Sequence, residues 1–276
     1  MCALEAEDAF ATTADGTRIF YRVSGRGPFA LVMPVPWGMD SYVYTKGLSS
    51  LEFYLALVTF DPRGVGRSGP AKTEEDFSLD IAAADAARVA DALGLSQSVV
   101  IGHSGGGALA LTYALRHPER VSHLVLVCTA ARWTTPSPLQ IDSGLPRTEA
   151  EMRTRMRSAI ARAVWNPDRF MRAMDELLPK MHFSPERLRW TAEHGAARYD
   201  VRAALERVQV PTLIIHGRQD RMIPLERAEE IRRGIPASRL VVFDECGHWP
   251  HVEKRVEFVA AVKEFLGLED RVPRSF

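Results

Sequence analysis

The 276-residue sequence has no apolar run approaching the roughly 18 residues of a membrane span. It carries no net charge, with 35 basic and 35 acidic residues. That balance removes the electrostatic argument for a nucleic-acid partner or an anionic membrane surface. Only five of the basic residues are Lys, a bias that carries no functional reading. Cysteine is scarce: Cys2, Cys128 and Cys246 are far apart and show no metal-type pair spacing, so a reduced compartment is expected rather than a disulfide framework. The first residues, Met1 to Asp8, are acidic and lack the apolar stretch of a signal peptide, so a cytoplasmic protein is expected. Internal repeats and low-complexity segments are missing, as are a dinucleotide fingerprint and a metal-ligand set. No cofactor and no metal are therefore expected. The oligomeric state is not written in the sequence.

What is present is core material. Hydrophobic residues make up 46% of the chain, enough for one large domain or one domain with an insertion. Short apolar runs read as buried strands: Phe29–Met33, Ala56–Phe60, Ser98–Ile101, Val121–Cys128, Val210–Ile215 and Leu240–Phe243. Two further strands between about Ala9 and Val23 flank a turn signal at Asp15-Gly16. Helices are expected from about Ser41 to Glu52, after Ser78 (an N-cap) as far as Gly94, after Pro224, and after Pro250 as far as Gly267. Alternation of strands and helices predicts an α/β fold with a largely parallel sheet of about eight strands and helices on both faces. From Arg132 to about Val208 the strand signal disappears, and helical stretches rich in Arg, Met and Ala alternate with proline breakers such as Pro136, Pro138 and Pro167. The expected organisation is a core of residues 1–131 and 209–276 with a helical cap inserted at 132–208.

One hexapeptide organises the chain: Gly102-His103-Ser104-Gly105-Gly106-Gly107. It joins the apolar strand ending at Ile101 to a segment, Ala108 to Leu115, that is apolar on every face. Gly102, Ser104 and Gly106 fit G-x-S-x-G at a strand-to-helix turn, which lifts the Ser104 hydroxyl clear of the sheet. The helix N-terminus that follows offers free N–H groups where an oxyanion would form.

With this motif in this context, the sequence resembles the α/β-hydrolase superfamily. The resemblance implies a Ser, acid, His order for the triad. His216-Gly217-Arg218-Gln219-Asp220, running to Pro224, resembles the family's acid loop and makes Asp220 the acid. Some relatives carry the acid after the preceding strand, but Thr129 to Arg132 hold no carboxylate. Cys246-Gly247-His248-Trp249-Pro250 resembles the family's catalytic His loop, which makes His248 the base. His103 is expected to point away from the nucleophile, and His251 to satisfy local backbone at a helix start. The D-x-R-G-x-G-x-S stretch at Asp61 to Ser68 also resembles the family, and is read as structural.

The relatives' H-G-x-x-G oxyanion loop is replaced here by Pro34-Val35-Pro36-Trp37-Gly38. Proline has no N–H, so Trp37 is expected to join Gly105 as oxyanion donor, with Val35 as competitor. Trp133, Trp165, Trp190 and Trp249 are candidate pocket walls. The chemistry expected is cofactor-free acyl transfer to water from a small-molecule ester, lactone or amide. Carboxylesterase or lactonase stands ahead of a proline iminopeptidase-like aminopeptidase, because those enzymes carry a Trp two residues after the nucleophile where this chain has Gly106. Perhydrolase and carbon–carbon hydrolase activity, or a non-catalytic receptor or scaffold, stand further back.

Overall fold

The computed structural model describes residues 6–133, 144–195 and 198–269; Cys2, Pro136 and Pro138 lie outside them. The chain begins with a hairpin, β1 (Glu7–Thr12) and β2 (Arg18–Gly25), then β3 (Phe29–Met33), α1 (Val43–Gly47) and β4 (Ala56–Phe60). Next come α2 (Leu79–Ala92), β5 (Ser98–His103), α3 (Gly105–Arg116) and β6 (Val121–Val127). Three helices follow, α4 (Glu149–Ala163), α5 (Pro167–Leu177) and α6 (Pro185–Trp190). The chain then returns to the sheet with β7 (Thr212–Gly217), α7 (Leu225–Gly234), β8 (Ser238–Phe243), α8 (Pro250–Glu253) and α9 (Arg255–Leu266).

All eight strands form one sheet in the order β1-β2-β4-β3-β5-β6-β7-β8. The hairpin and its pairing to β4 are antiparallel. Every other neighbouring pair is parallel. The central strands are apolar throughout because both faces are covered. Their side chains still divide with the two-residue period of a strand. Val32, Ile101, Val127 and Ile215 enter the core that also holds Tyr44, Phe258 and Val262. Leu31, Val100, Leu126 and Ile214 enter the opposite core, with Ala83, Leu109 and Ala228 from α2, α3 and α7.

Among the described residues between 132 and 208 there is no strand of the sheet; single bridges such as Met39–Phe183 and Arg132–Asp200 occur instead. Met152, Ile160, Met174 and Leu188 from this helical segment join the core on the Tyr44 side. Short side-chain caps start its helices: Thr148, Asn166 and Ser184 accept from the N–H groups three residues on.

Two helices differ from the sequence reading. The helix expected over Ser41–Glu52 is only α1 followed by a separate 3₁₀ turn at Ser49–Leu51. Gly47 ends α1 against the His251 ring, where a Cβ would sit 2.9 Å from the imidazole Cδ2. The chain then turns Leu48, Leu51 and Leu55 into the core. The final helix is interrupted at Lys254, whose φ of −128° and ψ of 52° separate α8 from α9. Ser78 does cap α2, accepting from the Ile81 N–H at 3.3 Å.

Candidate active site

Ser104 sits between β5 and α3 with φ 55° and ψ −125°, a backbone state costly for any residue with a Cβ. The surroundings enforce it. The Ser104 N–H donates to the Val127 carbonyl at 2.9 Å, and the Thr129 hydroxyl donates to the Ser104 carbonyl at 2.7 Å. Close packing explains the flanking glycines. A Cβ on Gly102 would lie 2.6 Å from the Gly107 Cα, and one on Gly106 would meet the Met33 carbonyl oxygen.

Asp220 and His248 come from the loops after β7 and β8 and meet through His248 Nδ1 and Asp220 Oδ2 at 2.7 Å. The other carboxylate oxygen accepts from the backbone N–H groups of Met222 and Ile223, at 2.8 and 3.0 Å. Burial works against the Asp220 charge, but His248, His216 and the Ile223 N–H outweigh it and hold the carboxyl below its ordinary value. With Nδ1 bonded to a carboxylate, His248 presents Nε2 as its free nitrogen. That atom is buried and has no hydrogen-bond partner among the described residues. His248 and Ser104 line the same cavity.

The cavity holds about 50 Å³. Its walls are apolar: Val35, Met39, Met156, Ile160, Met222 and Trp249. Apart from His103 and His248, no titratable side chain is among the described residues around it. Trp37 closes one side, with its ring packed at a tilt against Trp133 (centroids 4.9 Å apart), and Trp133 in turn packs at a tilt against Tyr199 at 4.7 Å. The loop bearing Trp37 lies directly over the start of α3, since a Cβ on Gly105 would be 2.6 Å from the indole nitrogen and 2.8 Å from Pro36 Cδ.

The four tryptophans thus divide. Trp249 lines the cavity at Ser104. Trp133 and Trp190 line a separate, wider groove of about 460 Å³. Trp165 is 44% exposed and lies apart from both, because α4 ends at Ala163 and turns it outward.

Three supports were not visible in the sequence. His103 does not simply face away: its Nε2 lies 2.7 Å from the His248 carbonyl oxygen. Burial, then the neighbouring His251 and His248, push His103 well below the ordinary imidazole value, so it is neutral and Nε2 carries the donated proton. Glu253 accepts from the N–H groups of Gly247, Trp249 and Trp165, binding the His248 loop to the link after α4. Arg187, 1% exposed, reaches behind the Trp37 loop. Only the i+4 spacing of Glu253 from Trp249, beside a helix start, could have signalled any of them. His251 also departs from expectation: neither ring nitrogen has a partner among the described residues, and burial drives its pKa down to about 3.

Cys128, His216 and Asp220 offer ligand atoms within 4.8 Å of one another, the one metal-type grouping among the described residues. Two of the three already serve the His248–Asp220 pair and its loop, while His216 Nδ1 is buried with no hydrogen-bond partner among the described residues. His216 Nε2 donates to the Ile223 carbonyl at 2.8 Å, and Asp220 accepts from His248 and two backbone N–H groups. The arrangement orients the Asp220 carboxylate toward His248.

The geometry is that of a serine on a strained strand-to-helix turn sharing a cavity with an oriented His–Asp pair. The family model for the alpha/beta hydrolase fold matches residues 32–184 and 131–255, and the chain belongs to that family. Two 2-hydroxymuconate semialdehyde hydrolases are similar to it. The one from Pseudomonas putida is 34% identical over 192 residues, 66% of each chain. The one from Pseudomonas sp. (strain CF600) is 32% identical over 206 residues, 71% of each chain. An esterase structure from Exiguobacterium antarcticum superimposes with a TM-score of 0.78 at 25% identity, covering 95% of this chain and all of that one. The protein is thus a hydrolase acting on a small molecule. None of the helices among its described residues is long and apolar enough to cross a membrane.

Proposed function

We propose that this hydrolase cleaves carboxylic esters or lactones with a small apolar acyl group, through an acyl-enzyme on Ser104. The observation that carries the reading is the oriented His248–Asp220 pair, with its second imidazole nitrogen unbonded, sharing one apolar cavity with Ser104. Serine is a weak nucleophile until a base takes its proton. His248 Nε2 takes it as Ser104 Oγ attacks the carbonyl carbon, and Asp220 holds the ring and stabilises the imidazolium. The tetrahedral oxyanion is bound by the backbone N–H groups of Trp37 and Gly105. Neither N–H has a hydrogen-bond partner among the described residues. His248 returns the proton to the leaving oxygen, and water then clears the acyl-enzyme by the same route. No cofactor takes part. The described residues between 132 and 208 form a cap that roofs the cavity, with Met156 and Ile160 lining it.

The apolar lining supports an ester over an aminopeptidase substrate, whose ammonium group needs a carboxylate close to the acyl site. A second reading, carbon–carbon bond hydrolysis, is favoured by the two semialdehyde hydrolases similar to this chain. A panel of p-nitrophenyl acetate and butyrate, a γ-lactone, prolyl p-nitroanilide and a ring-fission 2-hydroxy-6-oxodienoate separates these readings. Turnover of the short esters, abolished by Ser104→Ala, is the expected result. Preference for the dienoate would move the assignment to the second reading.

A further inference from the structure

The loop that carries Trp37 is held in place by the helical segment above it. Gly38 accepts from the Ser184 N–H at 2.8 Å, the Asp40 N–H donates to the His182 carbonyl at 3.1 Å, and the His182 N–H donates to the Asp40 carboxylate at 2.9 Å. At the centre, the Pro36 carbonyl oxygen accepts two side-chain bonds, from Arg187 Nε at 3.2 Å and from the Thr191 hydroxyl at 3.1 Å. The same guanidinium donates to the carbonyls of Arg63 at 3.2 Å and Phe77 at 3.5 Å.

Arg187 is an expensive residue in this place. It is fully buried and makes no ion pair among the described residues. Burying a guanidinium on carbonyl partners, with Asp85 and Asp76 acting only from beyond ion-pair distance, recovers its lost hydration poorly, and an apolar side chain of similar volume often serves stability as well. Its value lies in what it fixes. The Pro36 C=O and the Trp37 N–H belong to one planar peptide unit, in which they point in opposite directions. Two donors holding the oxygen on one side therefore turn the Trp37 N–H to the opposite side of the peptide, where it has no hydrogen-bond partner among the described residues. A cationic donor on the oxygen also polarises the peptide and makes its N–H a better donor.

We propose that Arg187 and Thr191 are positioning residues for the oxyanion site: together they fix the Pro36–Trp37 peptide so that the Trp37 N–H meets the oxyanion formed at Ser104. This rests on the assignment of Trp37 as oxyanion donor made above. It makes the helical segment part of the catalytic device as well as its roof.

The test compares Arg187→Met, Thr191→Val and Thr191→Ser with wild type on p-nitrophenyl acetate, using a short alkyl trifluoromethyl ketone as oxyanion analogue. Loss of a whole oxyanion donor typically lowers kcat by ~10²–10³, so partial misalignment in Arg187→Met should lower it by about 10- to 100-fold. Thr191→Val, which loses one neutral hydrogen bond, should lose about fivefold, and Thr191→Ser should restore most of kcat. In each variant KM should stay within about twofold while ketone affinity falls in proportion to kcat, a coupling that a purely structural role would not produce. Thr191→Val exchanges a hydroxyl for a methyl and keeps the test valid should Arg187→Met not fold. Folded variants with wild-type kcat and ketone affinity would overturn the proposal. A wild type that turns over no ester and reacts with no fluorophosphonate would instead overturn the underlying Ser104 reading, and this proposal with it.

Discussion

His103 Nε2 donates to the backbone carbonyl of His248 at 2.7 Å, so the residue before the nucleophile holds the main chain of the base. The contact links β5 to the loop after β8, and it is sealed from water, with His103 3% exposed. His103→Phe keeps the ring volume and removes the donor, leaving the His248 carbonyl buried and unpaired. That costs about 1–3 kcal/mol, so Tm should fall by several degrees, and kcat should fall further than KM rises as His248 loses its register. Thermal melts and ester kinetics on the one variant measure both.

The cavity at Ser104 is about 50 Å³, and Ile160 of α4 forms part of its wall. Ile160→Ala should open room for a longer acyl chain. The ratio of kcat/KM for p-nitrophenyl hexanoate to that for acetate should rise by about tenfold, since one added methylene in an apolar pocket is worth roughly 1–3 kcal/mol. Stability should drop by about 2–4 kcal/mol, as for other large-to-small core changes. An unchanged chain-length profile would place the acyl group elsewhere.

Asp40 gives a pH-dependent signature. Burial, less its backbone hydrogen bonds and helped by neighbouring Asp61, raises its pKa to about 6. An acid whose folded pKa is raised binds more protons folded than unfolded, so stability falls as pH rises from about 4 to about 6. Asp40→Asn keeps an oxygen to accept the His182 N–H and removes the charge. Its Tm relative to wild type should be higher at pH 8 than at pH 4, with the change centred between those two pKa values. A Tm difference that does not vary with pH would contradict the assignment.

Much of the frame was legible because apolar runs bounded by turn residues can only be buried strands here. Phe29–Met33 and Ala56–Phe60 begin and end where the sequence put them. The short α1 was not legible, because its end is dictated by the His251 ring against Gly47, some 200 residues away. The loops of Asp220 and His248 carry recognisable local strings, and the fold brings the two side chains into contact. Arg187, Glu253 and His103 act through backbone carbonyls and N–H groups on distant segments. No local pattern encodes such partners. A buried arginine in a helical stretch rich in arginine looks like any solvated one. Likewise Trp133, Trp165 and Trp190 could be grouped by residue type, but only the turns between helices decide which face each of them meets.

The most direct measurement of the central claim is intact-mass and peptide mapping after reaction with a fluorophosphonate, run on wild type, Ser104→Ala and His248→Ala. A serine activated by an oriented imidazole gives one phosphonyl adduct per chain, on Ser104. The account expects no adduct on Ser104→Ala and labelling of His248→Ala slowed by about 10³-fold or more, as for residues that act as one unit. An adduct on another residue, or equal labelling of wild type and Ser104→Ala, would contradict it.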